Sequence, residues 1–433
     1  MPNLNPLAES LNRELSATPP LLDLFSRRGR AIYFPSKGIL GQSAEAKGAR
    51  INATIGTAFE EDGSPLALEC LEETLNLPSQ SFLYAPSFGA PKLRDEWAKW
   101  MTIKNPGLRG KPFSKPVVTA ALTHGLSVAG YLFLDEGDEV ILADLFWDNY
   151  ELVLAEAYGA KLKFHNTFLR GGYDVESFRT TLSAGPVGKK VVLLNFPNNP
   201  TGYTVTEREA DELCRVLLES AQAGNRLVVL IDDAYFGLVY EAGVIRESLF
   251  SRLADLHSNL LAVKLDGPTK EDYVWGFRVG FLTFACRGAT PAQLTALENK
   301  AAGAVRGSIS NAPSISQEIL LKGYTHPDYA PQKARKFEVL QKRYRKIGEI
   351  LASHPEYARS FTALPFNSGY FMCVKPLGVE PEAVRRELLA RYGTGVIVLS
   401  GLIRLAFSSV PLDALETLFA NVHSAIQALL KQP

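Results

Sequence analysis

Six short apolar runs constrain this chain more than any other feature: residues 116–119, 139–143, 190–196, 226–231, 260–265 and 278–284. Most are leucine-rich or β-branched and lack the polar alternation of a half-solvated strand. Strands read this way when both faces are covered, as in a parallel sheet between helices. The intervening segments supply those helices. In the clearest, 206–220, Thr206 is placed to cap the first turn and Glu209 to complete a capping box. Ala210, Leu213, Cys214, Leu217 and Ala221 then fall on one stripe, and Gly224 ends it. The alternation predicts an α/β fold, with a mostly parallel central sheet flanked by helices.

After Pro313 the pattern changes. Residues 333–353 read as a long charged helix. Short strands follow around 370–374 and 403–407, with helices between and after them. The expectation is a large domain over 66–335 and a small α+β domain built from both termini, 1–65 with 336–433. The first sixty residues read as irregular, with Pro19-Pro20, Arg27-Arg28 and several glycines.

Charge and composition exclude several classes of function. Lys and Arg total 46, as do Asp and Glu, so the chain of 433 residues is formally neutral. It has no global attraction for nucleic-acid backbones or anionic membranes. No apolar run approaches the roughly 18 residues of a membrane span. Cys70, Cys214, Cys286 and Cys373 are dispersed without a CxxC pair, and the six histidines form no HExxH. Neither a disulfide framework nor a metal site is expected. The polar opening segment, MPNLNPLAESLNREL, lacks the apolar stretch of a signal peptide, so a cytoplasmic location is expected.

Ligands of an open α/β sheet collect at the carboxyl ends of its strands. After 190–196 comes Pro197-Asn198-Asn199-Pro200-Thr201-Gly202, a rigid turn presenting Asn199. After 226–231 comes Asp232-Asp233-Ala234-Tyr235, where a carboxylate beside apolar residues needs a cation or serves as a helix cap. After 260–265 comes Asp266-Gly267-Pro268-Thr269-Lys270, and eight residues beyond Lys270 stands Arg278, in GFRVG. Read singly, these are a turn, a cap and two surface cations.

In this order and spacing the three motifs resemble those of fold-type I pyridoxal-phosphate enzymes, specifically the class I and II aminotransferases of the aspartate aminotransferase type. The resemblance runs from about Asn52 to the end of the chain. It implies that Lys270 holds pyridoxal 5′-phosphate covalently and then carries a proton at the substrate Cα. Lys264 is the rival lysine, but it lies inside a strand run, and the spacing to Arg278 favours Lys270. The resemblance further implies that Asp232 pairs with the pyridine nitrogen, and that Asn199 and Tyr235 bond the ring oxygen. Arg278 clamps the phosphate beside the start of the helix after 116–119, at Ala121, Leu122 and Thr123. Relatives usually carry a glycine and a hydroxyl residue at the positions of Ala121 and Leu122, and a serine at that of Gly267. Thr123 or Thr269 is left to substitute. Trp147, in LFWDNY, matches the residue that stacks on the cofactor ring. Tyr84 matches a tyrosine sent into the neighbouring subunit's phosphate site, so a homodimer with shared active sites is implied.

On the substrate side, Ile55 and Gly56 match a segment that closes over the pocket. Arg404, in the strand IRLAF, matches the arginine that grips the α-carboxylate. An arginine within an apolar strand needs an anionic partner. Arg306, in RGSISNAP, matches the arginine that a neighbouring subunit offers to a distal carboxylate. The implied reaction is a ping-pong exchange of an amino group between an L-amino acid, dicarboxylic like aspartate or glutamate, and a 2-oxo acid. Aromatic or aliphatic amino acids are the alternative substrates. A lyase or decarboxylase on the same scaffold is the alternative chemistry. A regulator that borrowed the fold is disfavoured, because the N-terminal segment carries no helix-turn-helix pattern.

Overall fold

Seven strands hydrogen-bond into one sheet, in the order Val117–Thr119, Gly280–Ala285, Leu260–Asp266, Arg226–Asp232, Lys189–Asn195, Glu139–Ala143, Lys161–His165. The structure, a computed structural model, describes residues 4–16, 22, 25, 27–33 and 38–431; Pro19-Pro20 lie outside them. Gly280–Ala285 alone runs antiparallel to its neighbours, with Gly280 opposite Thr119 and Phe281 opposite Asp266. The start of this strand therefore lies beside the carboxyl ends of the others.

All six expected strands are present, with two corrections. The last begins at Gly280 rather than at Arg278, because Arg278 has φ 54°, a left-handed conformation that cannot extend a strand. The seventh strand, Lys161–His165, was not expected. Its lysines alternate with apolar residues at the sheet edge, so it carries no continuous apolar run.

Both faces of the sheet are covered. Val192, Leu194, Val229 and Ile231 pack with Leu213 and Leu217 on one side. Val191, Leu193, Leu230 and Val263 pack with Leu126, Ala129 and Val305 on the other. Each such side chain contributes roughly 1.5–3 kcal/mol on leaving water. Leu213 and Leu217 belong to the helix Glu207–Gln222, whose start is the expected capping box: the Glu209 N–H donates to Thr206 Oγ1 (3.2 Å) and the Thr206 N–H to Glu209 Oε2 (2.8 Å).

A second sheet of four antiparallel strands has the order Phe361–Ala363, Phe371–Pro376, Leu402–Ala406, Ile397–Leu399. The long helix Tyr329–Ser353 starts four residues before the expected 333. The N-terminal segment is not irregular throughout. It forms helices Pro6–Leu15, Arg27–Ala31 and Ile39–Glu45, the first capped by Asn5, whose side chain accepts from the Leu7 N–H at 2.9 Å. The first carries an apolar stripe of Leu7, Ala8, Leu11 and Leu15 at helical spacing, and the other two are only five and seven residues long. Ile51–Asn52 then pairs in parallel with Thr394–Gly395, so the N-terminal segment joins C-terminal structure.

The two sheets meet at the NNPTG turn. Asn367 accepts from the Thr204 N–H and donates to the Thr204 carbonyl, both at 2.8 Å. Gly202 has φ 71°, and a Cβ there would lie 1.9 Å from the Phe371 carbonyl oxygen. Only glycine admits this approach.

Candidate active site

The carboxyl edge of the large sheet and the strands Phe371–Pro376 and Leu402–Ala406 enclose a cavity of about 260 Å³. Lys270 enters it from a single helical turn, Pro268–Glu271, that follows the Leu260–Asp266 strand. Burial pushes the Lys270 ammonium down to about 8. The nearby Asp232 charge opposes that shift and the Arg278 charge adds to it.

Asp232 ends the neighbouring strand and lines the same cavity. Its Oδ2 accepts the Tyr150 hydroxyl at 2.6 Å and its Oδ1 the Ala234 N–H at 3.0 Å. Burial raises its pKa, and the Tyr150 hydrogen bond is the largest opposing influence, ahead of the Lys270 charge. Side chains alternate along a strand. Asp233 therefore faces away, into a buried cluster with Lys264, Asp266 and Ser248. Lys264 is thus held by two carboxylates and does not line the cavity, whereas Lys270 does.

Arg404 is 2% exposed, in the middle of its strand. One Nη donates to Asn199 Oδ1 (2.9 Å), the other to the Thr54 carbonyl (3.2 Å), and the guanidinium lies 4.2 Å above the Phe371 ring. Its buried Nε has no partner among the described residues. Because the Asn199 oxygen is committed to Arg404, its NH₂ is the group it has to offer a ligand. The Asn199 backbone is held in turn, its N–H donating to Asn195 Oδ1 at 2.9 Å.

At the opposite wall the helix Ala121–Phe133 opens onto the cavity beside Arg278. Ala121 has φ 64°, where an L side chain is strained and glycine is not. A Cβ at Gly267 would come within 2.9 Å of the Val279 carbonyl oxygen and 3.0 Å of the Gly280 Cα, so the facing backbone keeps any side chain out of this position. Thr269 Oγ1 is buried without a partner among the described residues.

The cavity thus brings together Gly56, Ala121, Leu122, Thr123, Trp147, Asn199, Asp232, Tyr235, Thr269, Lys270, Arg278 and Arg404. Three expected residues are not at its wall. Ile55 is half-buried and does not line the cavity, although its neighbour Gly56 does. Tyr84 is 93% exposed, and Arg306 is exposed on the helix Pro291–Ile309. Sequence reasoning missed Tyr150, Trp275, Phe371 and Ile39, all of which line the cavity. Tyr150 stands three residues after Trp147, with the two rings edge-on at 5.6 Å, so helical spacing from Trp147 was the available signal.

A family model described as "Aminotransferase class I and II" matches residues 61–421. An aspartate aminotransferase of Geobacillus stearothermophilus is 26% identical over 375 residues, which are 80% of this chain and 84% of the relative. An aspartate/prephenate aminotransferase of Thermus thermophilus is 26% identical over 317 residues, 72% and 74% of the two chains. Among solved structures, an aminotransferase from Anaerococcus prevotii matches with a TM-score of 0.80 at 21% identity, over 93% of this chain and 98% of that one. An aspartate aminotransferase from Thermus thermophilus with maleate matches at 0.71 and 20% identity, over 94% and 98%. Likeness at such identities speaks for the fold.

The cavity fits the family's cofactor, pyridoxal 5′-phosphate, group by group. It offers a lysine of lowered pKa for an aldehyde and a buried carboxylate for a pyridine nitrogen. For a phosphate it offers Arg278, a helix start and the unpartnered Thr269 hydroxyl. The chain belongs to the class I and II aminotransferases and is a pyridoxal-phosphate-dependent transaminase.

Proposed function

We propose that this enzyme exchanges an amino group between an L-amino acid carrying a second carboxylate, of the aspartate or glutamate kind, and a 2-oxo acid, in two half-reactions. The observation that carries the amino-acid part of this reading is Arg404. It is a buried guanidinium with no carboxylate partner among the described residues and a free Nε, and it lines the cavity that Lys270 enters. A planar donor fork in that state is built for a carboxylate. The names of the curated relatives, aspartate aminotransferases for the most part, support the dicarboxylic class.

When bound, the cofactor supplies an electron sink that makes the substrate Cα–H bond labile. The chain's own residues do the rest. Lys270 holds the cofactor and moves a proton at the substrate Cα. Asp232 pairs with the pyridine nitrogen, and the Tyr150 hydroxyl favours the ionised form of Asp232. Trp147 stacks on the ring. The Asn199 NH₂ and the Tyr235 hydroxyl bond the ring oxygen. Arg278, Thr123, Thr269 and the backbone at Ala121 and Leu122 hold the phosphate. Arg404 and Asn199 orient the α-carboxylate, and Gly56 leaves room above it.

We further propose a cytoplasmic homodimer, each subunit built of a 66–335 domain and a domain of both termini. Tyr84 and Arg306, both exposed in one chain, reach the partner's site. Arg306 reads the distal carboxylate. Tryptophan and phenylalanine at the walls (Trp147, Trp275 and Phe371) favour an aromatic substrate as the second reading. The discriminating experiment compares kcat/KM for aspartate and phenylalanine in wild type and Arg306→Ala. A loss confined to aspartate supports the dicarboxylic reading; equal losses, or a wild-type preference for phenylalanine, overturn it.

A further inference from the structure

The residue after Lys270 points the opposite way. Glu271 is buried, and its carboxylate is gripped from two sides. Lys104, at the end of the helix Pro91–Lys104, reaches it at 2.8 and 3.0 Å. Lys333, near the start of the long helix Tyr329–Ser353, reaches it at 2.8 Å. Asp272 is held in the same cluster, by Lys333 (2.8 Å) and by the hydroxyls of Tyr324 (2.9 Å) and Tyr329 (2.7 Å). From the other side, the Tyr370 hydroxyl donates to the Lys270 carbonyl at 3.1 Å.

The turn carrying Lys270 is thus pinned through Glu271 and Asp272 to three helices, Pro91–Lys104, Ser314–Tyr324 and Tyr329–Ser353, and through its own carbonyl to Tyr370, the residue before a strand of the small sheet. Two carboxylates and two ammoniums packed here give up hydration that apolar side chains would not, so stability alone is a weak reason for them. What such a cluster supplies is a fixed geometry.

We infer that Glu271 is a positioning residue for the reaction: held between Lys104 and Lys333, it fixes the turn that aims the Lys270 amine. The inference rests on the reading of Lys270 given above. The groups that act on that amine are Asp232 and Arg278, while Lys104 and Lys333 outweigh the burial of Glu271 and hold its carboxyl below the usual range.

The test uses holoenzyme mixed rapidly with saturating L-aspartate, or with L-phenylalanine where aspartate is not turned over. The decay of the visible cofactor band is followed per occupied site. Glu271→Gln is expected to slow that decay by about tenfold or more, because misaimed reacting groups lose rate steeply. KM is expected to change less than about twofold, and cofactor occupancy to stay full. Lys333→Met removes one of the two ammoniums that hold Glu271 and is expected to slow the decay in the same direction, with the double variant losing less than the product of the two single losses. A per-site rate constant does not depend on the folded fraction, so lost stability alone leaves it unchanged. An unchanged rate constant in a folded variant overturns the inference. So does a loss that appears in KM alone. Should Glu271→Gln not fold, Lys333→Met and Lys104→Met, which each leave Glu271 one ammonium, carry the same test. Lys270→Ala run alongside separates the two readings. If it keeps the visible band, the assignment of Lys270 itself is wrong.

Discussion

The Tyr150 hydroxyl donates to Asp232 Oδ2 at 2.6 Å, and both side chains are shut away from solvent. Burial raises the pKa of this carboxyl, and the Tyr150 hydrogen bond is the strongest influence in the opposite direction. Tyr150→Phe keeps the ring that packs on Trp147 and removes only that donor. A hydrogen bond to a charged group is worth about 1.5–3 kcal/mol, or roughly ten- to a hundredfold in kcat/KM. Steady-state kinetics beside a thermal melt checks this; full activity with an unchanged melt would mean that Asp232 needs no such partner.

The two lysines of the Leu260–Asp266 strand and its following turn are expected to separate cleanly. Lys264→Met leaves Asp233 and Asp266 buried without their ammonium, and breaking a buried pair in this way costs about 3–5 kcal/mol. Denaturant unfolding measures it. Lys270→Met removes an amine whose charged form burial already disfavours, so the fold is expected to stand while the visible cofactor band and the activity disappear. The opposite pattern would exchange the roles of the two residues.

The pKa of Lys270 sets a pH dependence. An amine takes up a proton only when neutral, so kcat is expected to rise with pH along a limb centred near pH 8, the value to which burial pushes Lys270. Arg278→Met removes a like charge, raises the amine's pKa and moves the limb to higher pH. Linkage gives stability the same sign. Lys270 binds fewer protons folded than unfolded between about 8 and its ordinary 10.5, so its contribution to stability grows as pH rises through that window. A limb that stays put in Arg278→Met would contradict the assignment.

Ala121 offers a test of strain at the start of a helix. Its φ of 64° costs an L-residue about 1–2 kcal/mol. Glycine gives back part of that through the freedom of the unfolded chain, so Ala121→Gly is expected to stabilise by about 0.5–1 kcal/mol. Gly280→Ala is expected to do the reverse, because its Cβ would fall 2.7 Å from the Ala121 carbonyl carbon. Chemical denaturation of both variants checks the pair.

The strand runs were legible because cover on both faces removes polar residues from the interior positions, as in the LVVLI core of the Arg226–Asp232 strand. The cofactor-side motifs were legible because each sits at a strand end, where spacing in sequence survives as spacing in space. Lys161–His165 does not stand out beside the others, since this edge strand alternates lysines with apolar residues over only five positions and forms no continuous apolar run. The antiparallel course of Gly280–Ala285 was hidden as well, because an apolar run carries no direction. Tyr150 was quoted within LFWDNY without a role. Nothing in a linear pattern says that its hydroxyl meets Asp232, eighty-two residues away. Glu271 carries no signal of its role in sequence, because its partners Lys104 and Lys333 come from distant helices.

The most direct test of the whole account is an absorbance spectrum of the purified holoenzyme before and after L-aspartate is added without any 2-oxo acid. The account predicts that the visible band of the lysine-bound cofactor gives way to the near-ultraviolet band of its aminated form, with one equivalent of oxo acid released per site. A visible band that ignores aspartate, or release of pyruvate or CO₂ in place of the corresponding oxo acid, would contradict it.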